Sequence, residues 1–303
     1  MRLTSALFAA TAGLVAAQEA SFCDKYTTAL LMNNTAENQL KLLTAVVNTA
    51  LIGNYSESKT GTAVAGILAP GVVNGTAVNL LPYFNGGLAS SNRGGSAGLS
   101  LNFLDDGGAV PLTRGMAANG TSSNQYMLLT HLYEYFGTLL GCSQQGSGSY
   151  AAYDGFGSQY EVHKFMDLSS AEVTYFIEQV AGAALSLGVS GDDLAPVGTA
   201  LMTLFGYRCS PPATVIPAQG NQTQSICQAE DCPLAPMSNC TGYTYGEPAV
   251  AVSSLVPNTT ARMSSAPTGT VSPTGAAPVA NAAAAHVGLS CAAIAGGLAA
   301  LLV

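Results

Sequence analysis

The stretch Tyr153–Phe205, YDGFGSQYEVHKFMDLSSAEVTYFIEQVAGAALSLGVSGDDLAPVGTALMTLF, decides the reading of the fold. Ser169 and Glu172 stand at the spacing of a capping box, in which the serine oxygen takes a free amide and the glutamate reaches back. Val173, Phe176, Ile177, Val180, Ala184 and Leu187 then recur on one face at a period of about 3.6 residues, which predicts an amphipathic helix. Gly188 ends it. Ser190 and Asp193 repeat the cap signal, and Leu194, Val197, Leu201, Leu204 and Phe205 form the apolar face of a further helix. Just upstream, Tyr160, His163, Phe165 and Met166 make a shorter helical pattern. One histidine therefore stands immediately before two helices that need a common core.

Working outward, Asn124 to Leu140 has the same helical spacing through Met127, Leu128, His131, Leu132, Tyr135, Phe136 and Leu139, and is closed by Gly141 and Cys142. Asn38 to Leu51 predicts a helix with Leu40, Leu43, Val46, Val47 and Ala50 on one face. The Gly-, Thr- and Asn-rich segments Gly53–Asn79 and Gly86–Ser123 read as long loop insertions, and Ser143 to Tyr153 as a Gly/Ser loop. From Ser210 to Tyr245 no period is visible, and Pro211, Pro212, Pro217, Pro233 and Pro236 exclude long helices. That segment reads as a cysteine-stapled appendix without its own core.

The two ends read as processing signals. Residues 1–17 hold an apolar run, Leu7–Ala16, followed by the small residues of a signal-peptidase site, which predicts a secreted chain beginning at Gln18. Residues 248–281 are rich in Ser, Thr, Pro and Ala and cannot offset their ordering entropy, so they predict a disordered stalk. Residues 282–303 end in an uncharged apolar tail behind small residues, the pattern of a glycosylphosphatidylinositol (GPI) attachment signal. His286 and Cys291 leave with that tail. Six cysteines remain, Cys23, Cys142, Cys209, Cys227, Cys232 and Cys240; an even number in an oxidising compartment predicts three disulfides, with pairing left open among fifteen possibilities. Asn33, Asn54, Asn74, Asn119, Asn221, Asn239 and Asn258 begin N-glycosylation sequons, which predicts exposed segments carrying N-glycans.

Composition excludes some classes. Only 9% of the 303 residues are charged and the net charge is −8, with nine scattered Lys and Arg, so there is no clustered cation patch for nucleic acid. Asp105-Asp106 and Asp192-Asp193 are adjacent pairs beside loop or cap signals, not the separated carboxylates of acid/base chemistry. No Gly-x-Ser-x-Gly elbow lies in a strand-to-helix context, and no glycine-rich turn precedes a helix as a phosphate loop would. An independent catalytic constellation is missing.

Tyr153-Asp154-Gly155, His163 ten residues after that tyrosine, the break at Asp167–Ser169, Phe176 and the Leu187-Gly188-Val189 turn together resemble the truncated, two-over-two globin family in its short group I form. Upstream, Ala45-Val46-Val47 resembles the family's B helix and Leu80-Leu81-Pro82-Tyr83-Phe84 its haem-packing corner. Glu134-Tyr135-Phe136 through Leu140-Gly141 resembles the end of its E helix. The resemblance runs from about Asn38 to Phe205 and implies an all-α, globin-like helical sandwich over residues 18–209, carrying long loop insertions and followed by the cysteine-rich extension at 210–247.

What the resemblance implies for function is haem binding. His163 would be the proximal ligand to the iron, since one neutral imidazole on a rigid helix is what that side of a globin needs. Phe84, Leu128, Leu132, Phe136 and Phe176 would line the haem pocket, with Ile177 behind the histidine. Aligned this way, Leu51 and Leu132 take the places of the family's distal tyrosine and glutamine, so the distal side is apolar. A shift of one residue would bring Tyr133 or His131 in instead. The expected protein is surface-anchored and secreted, binds a diatomic gas (O2 or NO), or runs haem-based redox chemistry such as NO dioxygenation or peroxide turnover. Two other expectations stand beside it: a structural surface glycoprotein with a haem-free globin-like core, and a surface haem scavenger.

Overall fold

Six helices of the chain begin at a serine or threonine whose side-chain oxygen takes the backbone amide three residues ahead: Ser21, Thr35, Ser123, Ser158, Ser169 and Ser190. Each satisfies one of the amides that a helix start leaves unpaired. The computed structural model describes residues 20–245. The signal segment, the Ser/Thr/Pro/Ala stalk, the terminal tail and the Asn258 sequon lie outside the described residues. In chain order the elements are α1 (Phe22–Leu31), α2 (Ala36–Ile52), β1 (Gly71–Val73), β2 (Thr76–Val78), α3 (Leu81–Phe84), α4 (Ala109–Leu112), α5 (Asn124–Leu139), α6 (Gln159–His163), α7 (Ser170–Ser186) and α8 (Gly191–Phe205). A single turn of tighter helix follows at Pro217–Gln219.

The capping box at Ser169 and Glu172 is formed in full. Gly188, at φ 103°, turns the chain out of α7, a conformation that side chains with a Cβ rarely adopt. The chain is helix-rich, with eight helices among the described residues. It is not all-α: β1 and β2 pair antiparallel, Gly71 opposite Val78 and Val73 opposite Thr76, inside the segment expected to be loop. The α1 helix also lies outside the expected elements. Its signals are nonetheless present: Phe22, Cys23, Tyr26 and Leu30 fall on one face at a helical period, behind a Ser21 cap.

Helix α2 is the hub. It packs against α1, α5 and α7, and α7 packs in turn against α8 and the hairpin. The core is built on these faces, with Leu43, Val47, Leu129, Val173, Ala183 and Leu201 all buried. The two long segments between helices are ordered without a hydrophobic period because buried polar side chains hold their backbone. Gln125, fully buried at the start of α5, donates to the carbonyls of Gly108 and Ala117 and accepts from the amides of Asp106 and Gly108. Tyr175 on α7 donates to the Gly66 and Ala69 carbonyls, each at 3.1 Å, and its ring lies where a Cβ at Gly71 would sit.

The cysteines form three disulfides: Cys23–Cys142, Cys209–Cys240 and Cys227–Cys232. Residues 210–245 share the main core rather than standing apart from it: Val215, Ile216, Ile226, Cys227 and Cys232 are buried in the same hydrophobic cluster as the helices. Residues 20–245 belong to one unit. Asn33, Asn54, Asn74, Asn119, Asn221 and Asn239 are all exposed. Among the described residues, no helix is long and apolar enough to cross a membrane.

Candidate functional site

Helices α1, α2, α5, α6, α7 and α8 enclose a cavity of about 190 Å³. That is larger than a benzene-sized void of about 150 Å³ and smaller than most small-molecule pockets, which start at about 300 Å³. Its lining is almost wholly apolar. The exceptions include His163, Gln159, Glu172, Tyr26 and Tyr135, and no lysine or arginine is among the lining residues.

His163 sits at the end of α6, a helix of five residues that needs outside support. Ser158 caps it by accepting from the Glu161 amide and donates to the Thr223 carbonyl at 2.7 Å. The Tyr160 amide also donates to Thr223, and the Tyr160 hydroxyl to the Thr244 carbonyl. Gln224, fully buried, donates to the Gly157 carbonyl at 2.8 Å. The cysteine-stapled segment therefore buttresses the short helix that carries the histidine. From the other side, the Tyr83 hydroxyl of α3 donates to the Met166 carbonyl at 2.9 Å.

The imidazole is oriented by its own helix. His163 Nδ1 lies 2.8 Å from the Gln159 carbonyl oxygen, one turn back. A carbonyl only accepts, so Nδ1 carries the proton and Nε2 carries the lone pair. Burial lowers the His163 pKa from its ordinary value, against the opposing pull of the Gln159 carbonyl, which keeps the ring neutral at neutral pH. The residue is partly buried and lines the cavity.

All six residues singled out from sequence, His163, Phe84, Leu128, Leu132, Phe136 and Phe176, line this one cavity. Leu51 lines it as well, so both residues placed on the distal side are there. Ile177 is not in the lining; it is buried elsewhere in the core. Tyr133 and His131, the residues that a one-residue shift would bring in, are not among the lining residues. Tyr133 donates to Asn48 Oδ1 at 2.6 Å in the core, and His131 faces Asp154 outside the cavity.

Sequence reasoning missed two features of the wall. The Gln159 carbonyl is a general consequence of helix geometry and was readable from the four-residue spacing to His163. Tyr135 was placed on the apolar face of its helix but not among the pocket residues: it is buried, it lines the cavity, and its hydroxyl has no hydrogen-bond partner among the described residues. Burial, with Tyr153 nearby, pushes its phenol far above the ordinary tyrosine range. The other polar lining groups are paired. Glu172 accepts from Ser169, Gln159 donates to the Phe156 carbonyl, and Tyr26 bonds Ser190 and Asp193.

The paired aspartates have structural roles. Asp105 accepts from the amides of Asn124 and Gln125 at the start of α5, and Asp193 accepts from Ser190, Lys25 and Tyr26 at the start of α8. Compared with known proteins, the chain matches no family model, no curated protein and no solved structure.

Proposed function

We propose that this is a haem-binding protein with a globin-like helical core, in which His163 is the iron ligand. One observation carries the reading. A neutral imidazole, with its Nδ1 proton held by a backbone carbonyl, stands in the wall of an apolar cavity that the other expected pocket residues also line. Metal-bound histidines characteristically donate their second ring N–H to a carbonyl or carboxylate, which sets the tautomer and strengthens the ligand.

The donor set and lining fit haem. A single nitrogen donor among Phe84, Phe136 and Phe176 suits a flat, apolar macrocycle with one axial bond. The lining offers no cation for the propionates, which would then meet solvent. The iron, when bound, supplies gas binding or redox chemistry. The protein residues hold the macrocycle, orient Nε2 and exclude water. Leu51 and Leu132, which also line the cavity, would offer bound oxygen no donor. The unpaired Tyr135 hydroxyl is then the free donor of the lining.

The volume favours a second reading, a carrier for a compact apolar molecule. At about 190 Å³ the cavity accepts such a ligand as it stands, whereas a porphyrin needs the walls to part. Haem as cargo, in a surface scavenger, and a haem-free structural glycoprotein are further outcomes of the same test. We also propose that the chain acts outside the cell on a lipid anchor. The N- and C-terminal sequence patterns and the three disulfides, which persist in oxidising compartments, support this location.

The deciding experiment is the visible spectrum of the purified chain supplied with haem. A Soret band that shifts on reduction and on addition of carbon monoxide, and disappears in a folded His163→Ala variant, is the expected result. No Soret band in folded wild type would end the haem reading and leave the apolar-ligand carrier or the structural glycoprotein. Rapid transfer of bound haem to apomyoglobin would mark haem as cargo.

A further inference from the structure

On the outer side of α5, away from the cavity lining, His131 and Glu134 stand one turn apart, and Asp154 reaches them from the loop that precedes α6. One ligand atom from each of the three lies within 4.8 Å of the other two. His131 Nε2 and Asp154 Oδ1 are 3.4 Å apart. This is long for a charge-assisted hydrogen bond, which sits at about 2.7–2.9 Å. It matches the edge of a tetrahedron with metal–ligand bonds of about 2.0–2.2 Å, which places neighbouring donor atoms about 3.4 Å apart.

Among the described residues, no lysine or arginine pairs with either carboxylate. The Glu134 carboxylate takes no hydrogen bond from a described residue, and its backbone carbonyl is held by Gln145 at 2.8 Å. A divalent cation placed among the three donors would pair with both carboxylates at once. The mixed set of one imidazole and two carboxylates selects a borderline metal over magnesium, which prefers all-oxygen octahedral sites.

We propose that His131, Glu134 and Asp154 form a site for a zinc-class divalent cation, with water completing its coordination. The site ties the middle of α5 to the 150–158 loop. Tyr153 in that loop packs edge-on against both His131 and Tyr135, with ring centroids 5.8 Å and 5.4 Å away. The cation would thus hold the loop that leads into α6. The inference stands whether or not haem occupies the cavity.

The test is a zinc titration of the full chain in competition with a chromophoric chelator, with magnesium as the control metal. One zinc per chain is expected. Loss of an outer-shell partner already weakens metal binding about tenfold or more, so His131→Ala and Glu134→Gln should each weaken it by at least that factor. His163→Ala should leave it unchanged. X-ray absorption of zinc-loaded wild type should show one imidazole in a nitrogen/oxygen shell; this readout does not depend on any variant folding. The proposal is overturned by zinc binding no tighter than magnesium, by affinity unaffected in both variants, or by a shell containing sulfur or several imidazoles.

Discussion

At the residue scale, the neighbouring tyrosines Tyr133 and Tyr135 are opposites. Tyr133 is buried and donates to Asn48 Oδ1, whose amide in turn donates to the Leu112 carbonyl. Tyr135 is equally buried and its hydroxyl is unpaired. Leaving a buried polar atom without a partner costs about 1–3 kcal/mol, while removing an unpaired one recovers part of that cost. Tyr133→Phe should therefore destabilise the chain by about 1–3 kcal/mol, and Tyr135→Phe should leave stability unchanged or raise it, as read by denaturant melts. The helical period puts only Tyr135 on the apolar face; which hydroxyl finds a partner is decided by their neighbours. His163 was legible as a candidate because one imidazole preceded two strong helices. Its tautomer and its place in the cavity wall were not, because both depend on where α6 is held.

At the scale of elements, α1 and α8 are joined by one carboxylate. Asp193 accepts from Lys25 at 2.8 Å, from Tyr26 and from Ser190. These bonds, that of Lys25 first, hold its carboxyl down to about 2. The folded pKa lies below the unfolded value of about 3.9, so the unfolded chain binds more protons in between. The stabilisation is complete above about pH 4 and is lost as pH falls through about 2. Denaturation midpoints of wild type and Asp193→Asn should differ clearly at pH 5 and converge near pH 2. A difference independent of pH would refute the linkage. The Ser190–Asp193 cap was visible in the sequence, as was the Ser169–Glu172 box. The partners Lys25 and Tyr26 were not, because they lie more than 160 residues away in the chain.

At the scale of the whole molecule, Cys23–Cys142 closes the longest covalent loop, 119 residues, and joins the start of α1 to the end of α5. The Cys23 amide donates to the Leu140 carbonyl at 3.1 Å beside it. Cross-links over long loops restrict the unfolded chain most, and losing a native one costs about 2–5 kcal/mol. The double substitution Cys23→Ala, Cys142→Ala should lower unfolding free energy by that amount, about 2–5 kcal/mol, in chemical denaturation. A comparable effect from Cys227–Cys232, which spans five residues, would contradict a loop-length mechanism.

The sequence by itself determined the helices of the second half, their caps and stops, and the number of disulfides. Those features rest on local rules: period, capping and cysteine parity. Tertiary structure decided the rest. It paired the cysteines, folded the glycine-rich segments through buried Gln125 and Tyr175, and drew residues 210–245 into the core as the support for α6. A buried glutamine has the same letter as an exposed one, and the backbone groups it satisfies are named only once the chain has brought them together.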